Sequence, residues 1–153
     1  MRIRQFFLSG SRLPGAAACL LTGHAFLFVA PAFAQDTIDC AKAEAQIELT
    51  YCAEQDWMAA DKDLNAIYKK AITAAKATDV TLKEVTPDLV GAEMALRDAQ
   101  RTWVAYRDKA CDAYGFTARG GTLEPMLIYA CRADMTRQRM SELTELTDAL
   151  GSN

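Results

Sequence analysis

Apolar residues recur at steps of three and four along most of the chain after residue 45, which is the period of one face of an α-helix. In the first such stretch the repeating positions are Trp57, Ala60, Leu64, Ile67, Ala71 and Ala74. They predict the inner face of a first helix, from about Gln46 to about Ala77. The pattern weakens through residues 78–81, which indicates that the helix ends there.

A second helix is predicted after the sequence Thr86-Pro87-Asp88. Thr86 suits the N-cap, Pro87 the first helical position, and Asp88 the positive end of the helix dipole. One apolar face then continues to about Ala113, through Leu89, Ala92, Leu96, Ala99, Trp103, Tyr106 and Ala110.

Arg119-Gly120-Gly121 interrupts the helical pattern, and a third helix is predicted from about Leu123 to about Leu150. Its inner face carries Cys131, Met135, Leu143, Leu146 and Leu150. No stretch alternates apolar and polar residues as a strand would. Three long helices with short connections predict an all-α, up-down-up three-helix bundle.

The first 34 residues have the pattern of an export signal. Three arginines at positions 2, 4 and 12 precede an apolar stretch that closes in Ala32-Phe33-Ala34. We expect cleavage after Ala34, which leaves one domain, residues 35–153, in the periplasm or outside the cell. The stretch is shorter than the roughly 20 apolar residues of a transmembrane helix, so we expect no membrane insertion after cleavage.

The predicted mature chain is acidic. The whole sequence has 17 basic and 20 acidic side chains, and the signal contains three of the basic ones, which leaves 14 against 20. Nucleic acids and anionic membranes bind through clustered positive charge, so this balance argues against both as partners. It favours a basic protein as the partner.

Four cysteines remain after cleavage: Cys40, Cys52, Cys111 and Cys131. An even number in an exported chain predicts two disulfides. The gaps of 12, 59 and 20 residues lack the closely spaced pairs of zinc sites. If the first hairpin turns near residue 81, Cys52 lies level with Cys111, and Cys40 is left for Cys131. We favour this pairing; the alternative is the sequence-local one, Cys40 with Cys52 and Cys111 with Cys131.

The residue types argue against an enzyme. The only histidine, His24, lies in the signal, so the mature chain has no imidazole for acid-base or nucleophilic catalysis. With its cysteines oxidised it also has no thiol nucleophile. Most carboxylates fall on helix faces opposite the apolar stripe. We therefore expect neither a metal nor a cofactor, and a function in protein binding.

The second half of the second helix places aromatic and charged side chains together. Trp103 and Tyr106 share its predicted inner face, and Arg107 flanks them. Such a group suits the core of a bundle, and it is also favoured at protein interfaces. For Arg107, both a place in the bundle core and a place in a protein interface are open. The same register places Arg101 level with Asp61, which predicts an internal ion pair.

Residues 112–122 connect the second and third helices and contain two aromatic side chains in a polar stretch. An exposed loop is better suited to occluding a cleft than a helix face is. Tyr114, Phe116 and Arg119, together with Arg107, are therefore the candidate partner-binding residues.

One pattern extends over almost the whole mature chain: Asp39-Cys40, Glu48 with Cys52, Asp61-x-x-Leu64-Asn65-x-x-Tyr68, Leu96-Arg97-x-Ala99-Gln100-Arg101-x-Trp103-x-x-Tyr106-Arg107-Asp108-x-x-Cys111, Gly120-Gly121-Thr122, and Cys131 with Arg139 and Leu143. In this pattern the chain resembles the bacterial exported domains named for the lysozyme inhibitor LprI. The resemblance implies a helical, disulfide-containing domain and, for one branch, inhibition of c-type lysozyme. We expect structural roles for the motif residues Asp61, Asn65, Tyr68, Gln100, Arg101, Trp103 and Tyr106.

The chain departs from that family at Ala45, where many members have Thr or Ser at the head of a capping box, so a less regular start of the first helix is expected. Two functional hypotheses follow from the sequence. The first is an exported, non-catalytic binding protein that inhibits a basic lysozyme. The alternative is a structural or assembly factor of the cell envelope that binds another bacterial protein through the exposed side of the second or third helix.

Overall fold

The computed structural model describes residues 38–152, and the expected export signal lies outside this range. The described residues form three long helices and no strand, with the second helix antiparallel to the other two, so the predicted all-α up-down-up bundle is confirmed. None of these helices is both long and apolar enough to cross a bilayer. The helices are α1 (Gln46–Val85), α2 (Ala92–Gly115) and α3 (Glu124–Gly151), with short 3-10 turns at Pro87–Leu89 and Phe116–Ala118.

An aliphatic core fills the half of the bundle nearer the α1–α2 connection. Tyr68 and Trp103 pack against its edge. Because apolar burial is the main favourable contribution to folding, this half provides most of the hydrophobic stabilisation of the bundle. The buried members come from all three helices and are Leu64, Ala71, Ile72, Ala75, Leu96 and Leu143.

The first turn of α1 contains half of a capping box. The Glu48 carboxylate accepts hydrogen bonds from the backbone N–H groups of Glu44 and Ala45, each at 3.2 Å. Ala45 has no side-chain acceptor to return the interaction. The helix therefore begins at the expected place with only one of the two reciprocal bonds.

The first helix continues to Val85, well past its predicted end near Ala77. The hydroxyls of Thr78 and Thr81 donate to the carbonyls of Ala74 and Ala77, at 3.2 and 3.3 Å. Side-chain bonds of this kind let threonine remain inside a helix. The polar stretch that was expected to end α1 therefore lies within it.

The N-terminus of α2 is capped by Asp79, a residue of α1. Asp79 Oδ1 accepts from the backbone N–H groups of Gly91 and Ala92, both at 2.8 Å, and Oδ2 accepts from Glu93 at 2.9 Å. The N–H of Glu93, with those of Gly91 and Ala92, lowers the pKa of the Asp79 carboxyl. The predicted cap, Thr86, instead ends α1.

Asp79→Asn should lower the melting temperature at neutral pH. The melting temperature of this variant should then fall less on acidification than that of the wild-type protein. The folded-state pKa of Asp79 lies below its ordinary value of 3.8, so its stabilising contribution is complete above that pH. The contribution is lost as the pH falls through the folded-state pKa. Thermal unfolding followed by circular dichroism between neutral pH and about pH 2 measures both effects.

Asp88→Asn is the matched control, because it neutralises an exposed carboxylate in the α1–α2 connection. It should change the pH dependence far less. Equal effects of the two substitutions would contradict the capping role of Asp79.

Each disulfide joins two cysteines that follow one another in the sequence, so the favoured cross-helix pairing is wrong and the sequence-local alternative is correct. The bonds join Cys40 to Cys52 and Cys111 to Cys131. The first ties the lead-in segment to the second turn of α1, and the second joins the end of α2 to the start of α3.

The wrong disulfide pairing and the wrong prediction of an Arg101–Asp61 ion pair have one cause. Because α1 continues to Val85, the chain turns later, and Asp61 lies opposite Arg107 where Arg101 was expected. Arg101 instead pairs with Asp98 on the exposed surface of α2. The same displacement moves Cys52 past the level of Cys111.

Peptide mapping without reduction should give two cross-linked tryptic products. Cleavage after Lys42 separates Cys40 from Cys52, and cleavage after Arg119 separates Cys111 from Cys131. Mass spectrometry should therefore find each of these pairs as a linked peptide that is released by reductant. A peptide that joins Cys52 to Cys111 would contradict the structure.

Candidate binding surface

Three arginines and two tryptophans alternate through the middle of the bundle. Along this Arg–Trp series the distances from guanidinium carbon to ring centroid are 5.2, 5.5, 5.2 and 5.9 Å, all within the range of cation–π attraction. One tryptophan belongs to α1, the other to α2, and the outer arginines to α3. The order is Arg132, Trp57, Arg107, Trp103 and Arg139.

Arg107 is the centre of the series, and its side chain is only 4% exposed. Its Nη1 donates to Asp61 Oδ1 on α1 at 2.9 Å and to Thr136 Oγ1 on α3 at 3.2 Å. Its Nε donates to Asp108 Oδ1 at 3.0 Å. A buried charge is tolerated when it is paired and hydrogen-bonded, and Arg107 obtains partners from all three helices. The structure thus places Arg107 in the interior, away from the surface where a partner could reach it.

Hydrogen bonds and ion pairs between neighbouring side chains surround Arg107. Asn65 Nδ2 donates to the carbonyl and Oδ2 of Asp61, at 2.8 and 3.1 Å. Gln100 Oε1 accepts from Arg139 Nε at 3.1 Å, and Arg132 pairs with Asp112 at 2.9 Å. The Gln100–Arg139 bond and the Arg132–Asp112 pair join α2 to α3 near the middle of the bundle.

Tyr106 and Arg101 lie on the surface of the bundle, as Asn65 does. Tyr106 was expected beside Trp103 in the core, but it is 63% exposed. The inner face of α2 has Arg107 in its place, and this rotates Tyr106 outward. That face consists of Leu96, Gln100, Trp103, Arg107 and Cys111.

Arg107→Ala should destabilise the protein by about 3 kcal/mol, because it leaves Thr136 and the carboxylates without their buried cation. Arg107→Lys should recover part of this loss, since it restores the charge but not the planar group between the two tryptophans. Urea denaturation measures both. Arg101→Ala removes the same charge from an exposed pair and should cost less than about 1 kcal/mol. A similar loss in Arg101→Ala and Arg107→Ala would contradict the central role of Arg107.

The end of the bundle where α1 begins and α2 connects to α3 contains both disulfides, and we call it the cystine end. Several large apolar side chains are exposed there. They come from the lead-in, the first turns of α1 and the α2–α3 connection, and are Ile38, Ile47, Tyr51, Tyr114, Phe116 and Leu123.

The α2–α3 connection is held close to the bundle at its base. A Cβ atom on Gly115 would lie 2.6 Å from Ile128 Cγ1, so only glycine permits this close approach of α2 to α3. Gly120 has a φ of 79°, which other residues rarely adopt. The bond between Cys111 and Cys131 closes the segment.

Of the four candidate partner-binding residues, Phe116 and Arg119 lie on this connection, and Tyr114 lies in the last turn of α2. Tyr114, Phe116 and Arg119 are 53%, 61% and 64% exposed. The guanidinium of Arg119 lies 4.6 Å from the centre of the Phe116 ring. The fourth, Arg107, is buried in the Arg–Trp series. Within residues 38–152, no group of three or more His, Cys, Asp or Glu could hold a metal ion.

The sequence profile of the family described as "Lysozyme inhibitor LprI" matches residues 39–143. The chain belongs to the LprI family. An uncharacterized protein of Rhizobium meliloti (strain 1021) is 47% identical over 121 residues, which cover 78% of this chain and 87% of that relative. No solved structure matches the chain. The LprI profile covers the whole Arg–Trp series, both disulfides and the α2–α3 connection.

Proposed function

We propose that this LprI-family protein is an exported, non-catalytic inhibitor of c-type lysozyme that binds the enzyme through its cystine end. Family membership supports inhibition as the class of function. The observation that carries the proposal is the group of exposed apolar side chains around a connection fixed by a disulfide.

The form of this surface suits a binding site. Grouped apolar side chains on the surface of a soluble protein are typical of interaction sites. A loop that is already ordered loses less conformational entropy on binding than a mobile one. Phe116 and Tyr114 therefore offer aromatic contact area at a small entropic cost.

The charge of the protein supports a basic partner. Residues 35–153 carry 20 acidic and 14 basic side chains, which gives a net charge of −6. Opposite net charges accelerate association, and salt screens this attraction. We infer that binding to a basic lysozyme is fastest at low ionic strength.

Export is part of the proposal. Residues 1–34 have the composition of a cleaved signal, and disulfides persist mainly in oxidising compartments. The proposed site of action is the periplasm or the exterior of the cell, where lysozyme would be encountered.

A second candidate function, an assembly factor of the envelope, is favoured by the outer face of α2. Tyr106 stands there among smaller residues that are also exposed, namely Ala95, Ala99 and Thr102. A flat helix face of this kind could bind another helix of a bacterial protein.

The decisive measurement is titration of the mature protein into a lysozyme turnover assay at low and high salt. Phe116→Ala should weaken inhibition by about tenfold or more, as expected for an aromatic anchor. Tyr106→Ala is the matched control, because it removes an equally exposed aromatic side chain from the face of α2. It should leave inhibition unchanged.

Two results would contradict the proposal. Absence of inhibition at micromolar concentrations in low salt would exclude lysozyme as the target. Loss of inhibition on Tyr106→Ala, with none on Phe116→Ala, would move the binding site from the cystine end to α2.

A further inference from the structure

Phe116 and Arg119 form a compact pair at the outer edge of the α2–α3 connection, with the guanidinium over the aromatic ring. We propose that this pair enters the active-site cleft of the glycan hydrolase, with the Arg119 guanidinium against the carboxylates of the enzyme and Phe116 in a sugar subsite. This inference rests on the proposed function and specifies the chemistry of its binding site.

The pair is held in place by its own segment. The backbone N–H of Arg119 donates to the carbonyl of Phe116 at 3.2 Å, and that of Gly121 donates to Ala118 at 2.9 Å. The Glu124 carboxylate accepts from the backbone N–H of Gly120 at 2.9 Å and from Arg119 Nη1. The bond from Gly120, followed by the bond from Arg119, lowers the pKa of the Glu124 carboxyl, so this carboxylate stays charged further into the acid range.

Arg119 keeps most of its hydrogen-bonding capacity for a partner. A guanidinium has five N–H donors in a rigid planar fork, and Glu124 engages Nη1 alone. The side chain is 64% exposed, whereas Glu124 is only 15% exposed. Nε and Nη2 are not engaged by Glu124, and together they form an edge that can bind a carboxylate through two parallel bonds.

The cleft of a glycoside hydrolase has the complementary chemistry. Such enzymes use two carboxylates on either side of the scissile bond, and their clefts bind sugar rings. Arg119 is the only basic side chain among residues 112–122. The net negative charge thus attracts the basic enzyme over long distances, while the single cation at the contact point matches the acidic centre of its cleft.

A double-mutant cycle with c-type lysozyme tests the contact. Binding of the mature protein and of Arg119→Ala is measured by calorimetry, first to wild-type lysozyme and then to lysozyme with both active-site carboxylates changed to amides. Arg119→Ala should weaken binding to the wild-type enzyme by about 30-fold or more. It should weaken binding to the amide enzyme by no more than about twofold.

Arg119→Lys keeps a cation at this position and should retain part of the affinity. Arg101→Ala is the matched control, because it removes an equally exposed arginine that also has an acidic partner, and it should leave binding unchanged. Melting temperatures should differ by only about 5 °C or less among these variants, as expected for loss of an exposed ion pair, which separates loss of contact from loss of fold.

The outcomes distinguish this inference from the proposed function. If wild-type protein inhibits lysozyme and Arg119→Ala binds both forms of the enzyme as tightly as wild type, the inference is overturned and the inhibitor function stands. An equal loss of affinity for both forms would also overturn it, because the carboxylates would not be the partners. If wild-type protein does not bind lysozyme, both proposals fall.

Discussion

The positive charge of Arg107 lies inside the bundle, and all three helices supply its partners. Asp61, Thr136 and the two tryptophans each come from a fixed position along a helix, so satisfying the guanidinium also sets the level at which the helices meet. Pairing of this kind adds little net stability compared with apolar packing, but an unpaired buried charge is costly. Arrangements that shift or rotate one helix would leave the charge unpaired. The Arg–Trp series therefore selects one arrangement of the helices, while the aliphatic core supplies most of the stability.

The bundle consequently has three zones along its axis, each held by a different kind of interaction. Apolar packing around Leu64 and Leu143 holds the half near the α1–α2 connection. The Arg–Trp series holds the middle, where a row of arginines replaces aliphatic side chains. Disulfides hold the third zone, at the cystine end, where large apolar residues such as Phe116 are exposed to solvent. Covalent bonds order this end, where Phe116 and its exposed neighbours do not belong to the core.

Local patterns predicted the local features of this molecule. The number of helices, the inner face around Leu64 and the exposed loop with Phe116 all follow from periodicity and composition over a few turns. The register of the helices could not be predicted in this way. The end of α1 depends on threonine hydroxyls that donate to backbone carbonyls one turn earlier, and the start of α2 depends on Asp79, which is twelve residues or more from the N–H groups that it caps. The predicted disulfide pairing was based on the register and was therefore wrong as well. The predicted inner face of the second helix was wrong at Leu89, Ala99 and Tyr106, which are exposed, since a hydrophobic pattern selects Tyr106 and cannot anticipate a buried arginine. A signal was nevertheless present on α3, where Arg132, Thr136, Arg139 and Leu143 follow one another at steps of four, three and four.

The position of the motif residues limits what family membership says about function. Several of the residues through which the chain resembles the LprI family, among them Asp61, Gln100 and Arg107, belong to the network that joins the helices, and substitutions among them would destabilise the fold before they changed a binding surface. The residues proposed to contact lysozyme lie outside that network, on a connection whose ends are fixed by Cys111 and Cys131. A connection anchored at both ends can vary at Phe116 or Arg119 without cost to the helices, because neither side chain contributes to the core. We therefore expect members of one fold to differ in target or affinity through this segment, and the specificity of this chain to be carried by the side chains of its own α2–α3 connection.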